Sequence, residues 1–296
     1  MKNKVLILLA SYNGAKYISE QILSLKDQIG CEVHILISDD GSTDDTLSII
    51  SKLRKKYNLN IKVLRNTLKT GSFNGNFINL FINANCKNYE YIALSDQDDI
   101  FLKNKLKKSI NILQYRNCAG ISSPVITFGL SNKKLIQSSK ISKFDFLFEG
   151  AGQGCTFVLK SQDFLLFQKF CIEHLELIKD FYYHDWLIYL FFRISGKKWF
   201  FYHKHLTKYR IHSKNNTGEK YNIFGILKRF LKILNGWYLT QIIYSIKIHN
   251  KIQPKTNHLK ITFFNLFILI VFHGRRKLSD RFLSLFCLFS YPFIRR

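Results

Sequence analysis

Two acidic runs in this 296-residue chain hold the residues best equipped for chemistry. Ser38-Asp39-Asp40-Gly41-Ser42-Thr43-Asp44-Asp45-Thr46 closes one apolar stretch, and Ser95-Asp96-Gln97-Asp98-Asp99 closes another. The second run crowds three carboxylates, Asp96, Asp98 and Asp99, into four residues. Charges of one sign this close are unfavourable unless protons or a cation neutralise them. Hard oxygen ligands suit Mg²⁺ or Mn²⁺, ions that usually bridge one or two carboxylates to substrate phosphates. A solvated acidic loop or a helix N-cap run would use the same residue types. The apolar strand ahead of each run, and the repetition of the pattern, favour a ligand site.

Those runs need a scaffold that brings them together. Residues 5–10 are a short apolar run ended by Asn13-Gly14, a strand followed by a turn. In residues 15–27, Ile18, Ile22 and Leu25 recur at helical spacing. Residues 33–38 read as a second strand. Ser42 is placed to cap the next helix, with Asp44 and Asp45 in its first turn and Leu47, Ile50 and Leu53 as its inward stripe. A third strand over 61–64, a helix over 73–86 and a fourth strand over 91–94 complete a βαβαβαβ rhythm. That alternation predicts an α/β fold with a mostly parallel sheet, right-handed crossovers and helices on both faces. Ligands bind such sheets beyond the carboxyl ends of the strands, which is where both acidic runs fall. After Asp99 the pattern is mixed. It reads as a helix over 103–114, a hairpin of 121–128 with 135–138, and a strand over 155–159. Helices over 163–178 and 185–194 and a strand over 199–202 follow.

With 47% hydrophobic residues, 27 Phe, 15 Tyr and only 3 Pro, the chain has enough apolar surface to offset the entropy of ordering. The six cysteines, none at CxxC spacing, indicate reduced thiols rather than a zinc site or a disulfide framework. Residues 2–10 mimic the start of a signal peptide, but six apolar residues are too few for its hydrophobic region. A buried first strand is the better reading. The formal charge of +25 raises the question of nucleic acid, although a composition rich throughout in Lys, Asn, Ile and Phe accounts for part of it. From Lys214 to Arg296, 15 Lys and Arg face two acids, Glu219 and Asp280, so this tail carries about half of the excess. A basic, aromatic tail suits an anionic membrane surface at least as well as nucleic acid. Its apolar stretches, 261–272 and 282–294, are too short to span a bilayer. They either pack on the rest of the chain or rest in the plane of a membrane.

Leu9-Ala10-Ser11-Tyr12-Asn13-Gly14, the run from Asp39 to Thr46 and the run from Asp96 to Asp99 together resemble the family 2 glycosyltransferases of GT-A fold. Within them, the similarity is to bacterial rhamnosyltransferases that build O-antigen and other rhamnose-containing polysaccharides. The resemblance covers roughly residues 4–218. It implies that Ser11, Tyr12 and Asn13 form a loop over the nucleotide base, and that Asp39 accepts the imide N–H of uracil or thymine. Asp40 and Gln97 join them on the donor side, where Asn76 lines the pocket or serves in packing or capping. Asp96 would lie near the ribose and the metal, Asp98 would be the main metal ligand, and Asp99 would support them. A divalent ion on the diphosphate would stabilise the charge of the leaving group.

The same resemblance implies an acceptor side. Asp185, in the helix opened by His184-Asp185-Trp186, matches the carboxylate with which inverting members deprotonate the acceptor hydroxyl. His184 stands where the family often has a second acid, and Trp186 reads as core. Gly152-Gln153-Gly154-Cys155 resembles the loop below the acceptor. Tyr209-Arg210-Ile211-His212-Ser213-Lys214-Asn215-Asn216 resembles a YRxHxxN segment, in which His212 reaches the metal or diphosphate and Arg210 pairs with phosphate oxygens.

The expectation is a metal-dependent inverting transferase that moves a sugar from a dTDP- or UDP-sugar to a lipid-linked oligosaccharide in cell-surface polysaccharide synthesis. The preferred donor is dTDP-L-rhamnose, with a UDP-hexose as the alternative. The catalytic domain would span residues 1–218, with a nucleotide-binding half over 1–100 and an acceptor half over 101–218. A helical, basic region over 219–296 would hold it peripherally on the cytoplasmic face of the membrane. A sugar nucleotidyltransferase would need a glycine-rich, Arg-containing loop after the first strand, which Ser11-Tyr12-Asn13-Gly14-Ala15 lacks. A non-catalytic membrane- or nucleic-acid-binding module would explain the charge but leave the acidic runs without a role.

Overall fold

The computed structural model describes residues 2–65, 70–130, 132–135, 141–212 and 235–290. The chain opens with β1 (Asn3–Ser11), α1 (Ile18–Lys26), β2 (Cys31–Asp39), α2 (Thr46–Lys56), β3 (Ile61–Arg65), α3 (Phe73–Asn83) and β4 (Tyr91–Asp96). It continues through β5 (Ile100–Phe101), α4 (Lys105–Tyr115), β6 (Gly120–Ser122), β7 (Val125–Gly129), β8 (Lys134–Leu135) and 3₁₀ turns at Asp145–Leu147 and Gly154–Thr156. Next come β9 (Val158–Lys160), α5 (Ser161–Glu173), α6 (Leu175–Ile178), α7 (His184–Ile194), β10 (Trp199–Phe201) and β11 (Thr207–Ile211). The described chain ends with α8 (Trp237–Ile252), α9 (Phe263–His273) and α10 (Leu278–Ser290).

A seven-stranded sheet in the order β10-β6-β9-β4-β1-β2-β3 forms the centre. The β4-β1-β2-β3 portion is parallel, and β9 is antiparallel to both β4 and β6. The fold is thus the mostly parallel α/β sheet that the alternating pattern predicts. Along β1 the side chains alternate between the two faces. Leu6, Leu8 and Ala10 join one apolar cluster, and Val5, Ile7 and Leu9 join the other. Helices α1 and α4 cover the second face through Ile18, Ile22, Leu106 and Ile110, while α3, α5, α7 and α8 cover the first. A central strand buried on both faces reads as an unbroken apolar run, and for that reason β1 was legible.

Three expectations need correction. Residues 121–128 are not one strand: β6 pairs in the central sheet, whereas β7 pairs with β8 and β11 in a separate sheet of order β5-β11-β7-β8. Pro124 separates them, and a residue without an N–H suits the point where the chain leaves one ladder for another. The expected strand over 155–159 begins as a 3₁₀ turn and becomes β9 only at Val158. The expected helix over 163–178 is broken at His174, whose φ of −129° and ψ of 35° leave the helical region. The remainder of the hairpin over 136–138, the end of the YRxHxxN segment and the 213–234 start of the basic region lie outside the described residues.

The C-terminal helices are joined to the rest of the chain by buried polar contacts as well as apolar ones. Arg276, in the α9–α10 connection, is fully buried, 2.8 Å from Asp145 and 3.3 Å from Glu149. Asp145 is buried too, and also binds Arg193 of α7 at 2.9 Å and the Tyr189 hydroxyl at 2.7 Å. Among the described residues, no helix is long and apolar enough to cross a membrane.

Candidate active site

In the parallel register Ser11 lies opposite Asp39, and Ala10 opposite Asp96, so β1, β2 and β4 end at a common level. The loop after β1 is laced to the loop after β2. Asn13 adopts φ 47°, a left-handed conformation that asparagine tolerates. Its N–H donates to Ser42 Oγ at 2.9 Å, and its Oδ1 accepts from Thr43 N at 2.8 Å. Gly14 N donates to Thr46 Oγ1 at 2.8 Å. Asp39 is buried and accepts from Ser42 N at 2.9 Å and Ser42 Oγ at 2.6 Å. Ser42 therefore closes the loop on Asp39 and does not cap α2, where Asp45 holds the N-cap position.

Asp40, Asn76 and Gln97 bond the protein's own backbone. Asp40 accepts from Thr70 N at 2.6 Å and Gly71 N at 3.2 Å, which fixes the approach to α3. Asn76 donates to the Ser11 carbonyl at 3.0 Å, while its buried Oδ1 has no hydrogen-bond partner. Gln97 clasps Tyr12, accepting from its N–H at 2.8 Å and donating to its carbonyl at 3.0 Å. A side chain at Gly14 would meet the Gln97 amide and displace that clasp. The Tyr12 ring is 48% exposed above the loop.

At the end of β4 the three carboxylates take different environments. Asp99 turns inward and is fully buried, its Oδ1 accepting from Arg210 N of β11 at 3.1 Å. Burial, and then the neighbouring Asp98 charge, push its pKa up to about 8. Asp96 is raised well above the carboxylate range by burial first, then by Asp99, Asp98 and Asp185. Asp185, at the head of α7, adjoins Gly154, the residue before the Cys155 that gathers with Asp96 and Asp99. Asp96 Oδ1 and Asp99 Oδ2 are buried without hydrogen-bond partners. Asp98 Oδ2 lies 2.7 Å from His212 Nε2, and the His212 ring stacks on Tyr17 with centroids 5.0 Å apart.

Among the described residues, the metal-ligand atoms that gather within 4.8 Å of one another belong to Asp96, Asp99 and Cys155. The expected trio of Asp96, Asp98 and His212 does not form one such group. Instead the Asp98–His212 pair adjoins it, because the turn after β4 carries Asp99 inward beneath β11. Burial raises the Cys155 thiol well above its ordinary range and keeps it protonated, a poor donor for a hard ion. The oxygens of Asp96 and Asp99 suit Mg²⁺ or Mn²⁺, with two partnerless buried atoms and repulsion that a cation would relieve, and Asp98 lies beside them on His212. Arg210 is engaged by the protein. It donates to Glu20 at 2.7 Å and to the Asp98 carbonyl at 2.9 Å, between the rings of Tyr17 and Phe128.

Lys105 escaped the sequence reading. It is fully buried, donates to the Cys155 carbonyl and lies 3.1 Å over the Phe101 ring. Burial lowers its pKa to about 7, against the pull of Cys155, Asp99 and Asp96. Its helical neighbour Ser109, four residues on, is buried as well, and that spacing beside the Leu106–Ile110 stripe was the available signal.

At the head of α7, Asp185 accepts its own helix's Trp186 N–H at 2.7 Å, and the helix dipole favours its negative charge. Trp186 is buried and donates to the Phe146 carbonyl at 2.7 Å. His184 is buried and stacked on Phe77 at 3.7 Å, with neither ring nitrogen hydrogen-bonded. Burial lowers its pKa to about 3, so the ring is neutral. Gly154 packs directly on this ring.

A family model described as glycosyl transferase family 2 matches residues 6–181, more than half of the chain. The chain belongs to that family. It is 36% identical over 236 residues to the dTDP-rhamnosyl transferase RfbG of Shigella flexneri, covering 79% of this chain and 82% of that one. It is 24% identical over 238 residues to a Campylobacter jejuni GalNAc(5)-diNAcBac-PP-undecaprenol beta-1,3-glucosyltransferase, covering 78% and 72%. Among solved structures, Staphylococcus aureus TarS 1–349 in complex with UDP-GlcNAc superposes with a TM-score of 0.58 at 17% identity, over 99% of this chain and 90% of that one. The Pyrobaculum calidifontis mannosyltransferase PcManGT, solved with GDP-Man and Mn2+, gives 0.54 at 11% identity, over 99% and 87%. These structural likenesses establish the GT-A fold. The family 2 chain is a glycosyltransferase.

Proposed function

We propose that this glycosyltransferase inverts the anomeric centre of L-rhamnose as it transfers the sugar from dTDP-L-rhamnose to a lipid-linked glycan during cell-surface polysaccharide synthesis. The observation that carries the reading is the gathering of Asp96 and Asp99 at the end of β4, each with a buried carboxylate oxygen left unpartnered, beside Asp98 and near the Gly154 turn on which Asp185 packs. The likeness to RfbG supports the choice of donor, and the Campylobacter relative supports an undecaprenol-linked acceptor.

In this mechanism Tyr12 and the Asn13 loop cover the thymine, and Asp39 faces its imide. Asp40, Asn76 and Gln97 act indirectly, by holding the backbone that shapes the pocket. Asp96, Asp98 and Asp99 would hold Mg²⁺ or Mn²⁺, with His212 orienting Asp98. When bound, the ion supplies charge stabilisation to the departing nucleoside diphosphate. Asp185 takes the proton of the acceptor hydroxyl as that oxygen bonds to the anomeric carbon and the bond to the diphosphate breaks. Neutral His184 beneath it adds no competing positive charge. The enzyme would work on the cytoplasmic face of the membrane, where its acceptor is anchored.

The test is a donor screen with purified protein, following nucleoside diphosphate release with Mg²⁺, Mn²⁺ or chelator. Release from dTDP-L-rhamnose that depends on the ion and vanishes in Asp185→Asn, with donor binding retained, is the expected result. Preference for a UDP-hexose would replace the donor assignment, and full turnover by Asp185→Asn would remove that residue from the chemistry.

A further inference from the structure

Helices α9 and α10 each bury one side and expose another. Leu266, Leu269 and Ile270 of α9 and Cys287 and Leu288 of α10 are buried. On the outward side, Phe264 is 69% exposed and Phe272, eight residues later, is 65% exposed. On α10, Phe282, Phe286 and Phe289 are 73%, 47% and 52% exposed, at the four- and three-residue steps that define one helical face. Ring contacts of Phe289 with Phe263 at 5.5 Å and Phe267 at 6.2 Å join the two stripes. A scattered exposed phenylalanine needs no explanation, but an ordered row across two adjoining helices marks an interaction surface.

We propose that this aromatic face docks on an anionic lipid bilayer, with α9 and α10 lying in the plane of the interface. Charge selects the occupant. Exposed Lys260 and Lys277 precede the two helices, and α9 contains no acidic residue. Asp280, the acid of α10, pairs with Arg275 at 3.4 Å. A basic rim around exposed aromatic rings complements anionic headgroups. A second copy of this chain would bring the same positive rim, and +25 in total, against itself. At 11 and 13 residues the helices are about 17–20 Å long, too short to cross a hydrocarbon core of about 30 Å.

The face is fixed relative to the catalytic rim. Arg276 between the helices donates to the Gly150 carbonyl and binds Asp145, and Ser142 donates to the carbonyls of His273 at 3.1 Å and Gly274 at 3.2 Å. That segment leads to Gly154, which packs against His184 and Asp185. Docking would thus set the height of Asp185 over the membrane, which rests on the proposed lipid-linked acceptor for its purpose.

The experiment is vesicle co-sedimentation of the full chain, with neither donor nor acceptor present. Vesicles containing about one-third phosphatidylglycerol should bind the protein at least about tenfold better than pure phosphatidylcholine. The Phe264→Ser/Phe272→Ser/Phe282→Ser variant should lose at least about tenfold in partitioning while keeping its unfolding transition. The Leu166→Ser/Ile172→Ser variant, which removes exposed apolar groups from α5, should bind as the parent does. Unchanged binding by the triple phenylalanine variant overturns the proposal. So does a parent protein that is dimeric by light scattering, with the dimer rather than vesicle binding lost in that variant. Turnover on a water-soluble acceptor, measured in parallel, reports separately on the catalytic reading.

Discussion

Gly154→Ala puts the packing around the proposed base Asp185 to a sharp test. Gly154 does not occupy a left-handed conformation, so its backbone would accept alanine; only space forbids it. An added methyl would lie well inside 3.0 Å of His184 Nε2, 3.2 Å from Cε1 and 3.3 Å from Asp185 Cβ. The His184 ring is stacked on Phe77 at 3.7 Å, with Phe73 edge-on at 5.0 Å, which hinders its retreat on those sides. Restoring ordinary separation requires a shift of about 1 Å at the head of α7. Overpacking of this kind costs roughly 1–3 kcal/mol in stability. Because Asp185 is carried by the same turn, a displacement of about 1 Å should lower kcat roughly a hundredfold. The assay pairs nucleoside diphosphate release with urea unfolding. Donor KM should hold, since the loop after β1, proposed to cover the base, is distant in the chain and laced separately. Adding His184→Ala, which removes the obstacle, should recover part of the lost kcat. Wild-type kcat and stability in Gly154→Ala would refute the packing argument.

Other outcomes follow from the same structure. Asp98→Ala should reduce ion-stimulated turnover at least about a hundredfold and weaken Mn²⁺ binding measured by calorimetry, because it deletes one of the three rim carboxylates. His184 has its pKa lowered from 6.5 to about 3 by burial, so only the unfolded chain takes up its proton between those values. Its contribution is therefore present above 6.5 and lost as the pH falls toward about 3. The stability difference between the wild type and His184→Phe, measured by urea titration, should shrink over that window by up to about 1.4 kcal/mol per pH unit. Arg276→Met takes one of two arginines from each of buried Asp145 and Glu149, leaving Arg193 and Arg275 in place, so unfolding free energy should fall by about 1.5–3 kcal/mol. An unchanged urea midpoint would show that the C-terminal helices are held by apolar packing alone.

Local pattern determined the first hundred residues of this protein. The apolar runs at β1, β2 and β4, the turn at Asn13-Gly14 and the two acidic clusters carry their meaning in adjacent residues. A strand buried on both faces must be apolar, and the polar residues that end it must lie at the sheet's edge. The stretch after Asp99 was less legible, because its short strands divide between two sheets and Pro124 stands where the chain passes from one to the other. Which carboxylate turns inward could not be read from Asp96-Gln97-Asp98-Asp99, since the Arg210 N–H that receives Asp99 comes from a strand 111 residues away. Nor do neighbouring residues in the sequence indicate that Glu20 and the Asp98 carbonyl hold the Arg210 side chain. Lys105 and Arg276 had the composition of surface residues, yet both are fully buried. Their burial depends on the Cys155 carbonyl for Lys105 and on the Asp145 carboxylate for Arg276. Side-chain direction and charge compensation are set by neighbours that only the folded chain brings together. The tertiary structure therefore decided how the rim is wired, after the sequence had determined where the rim would be.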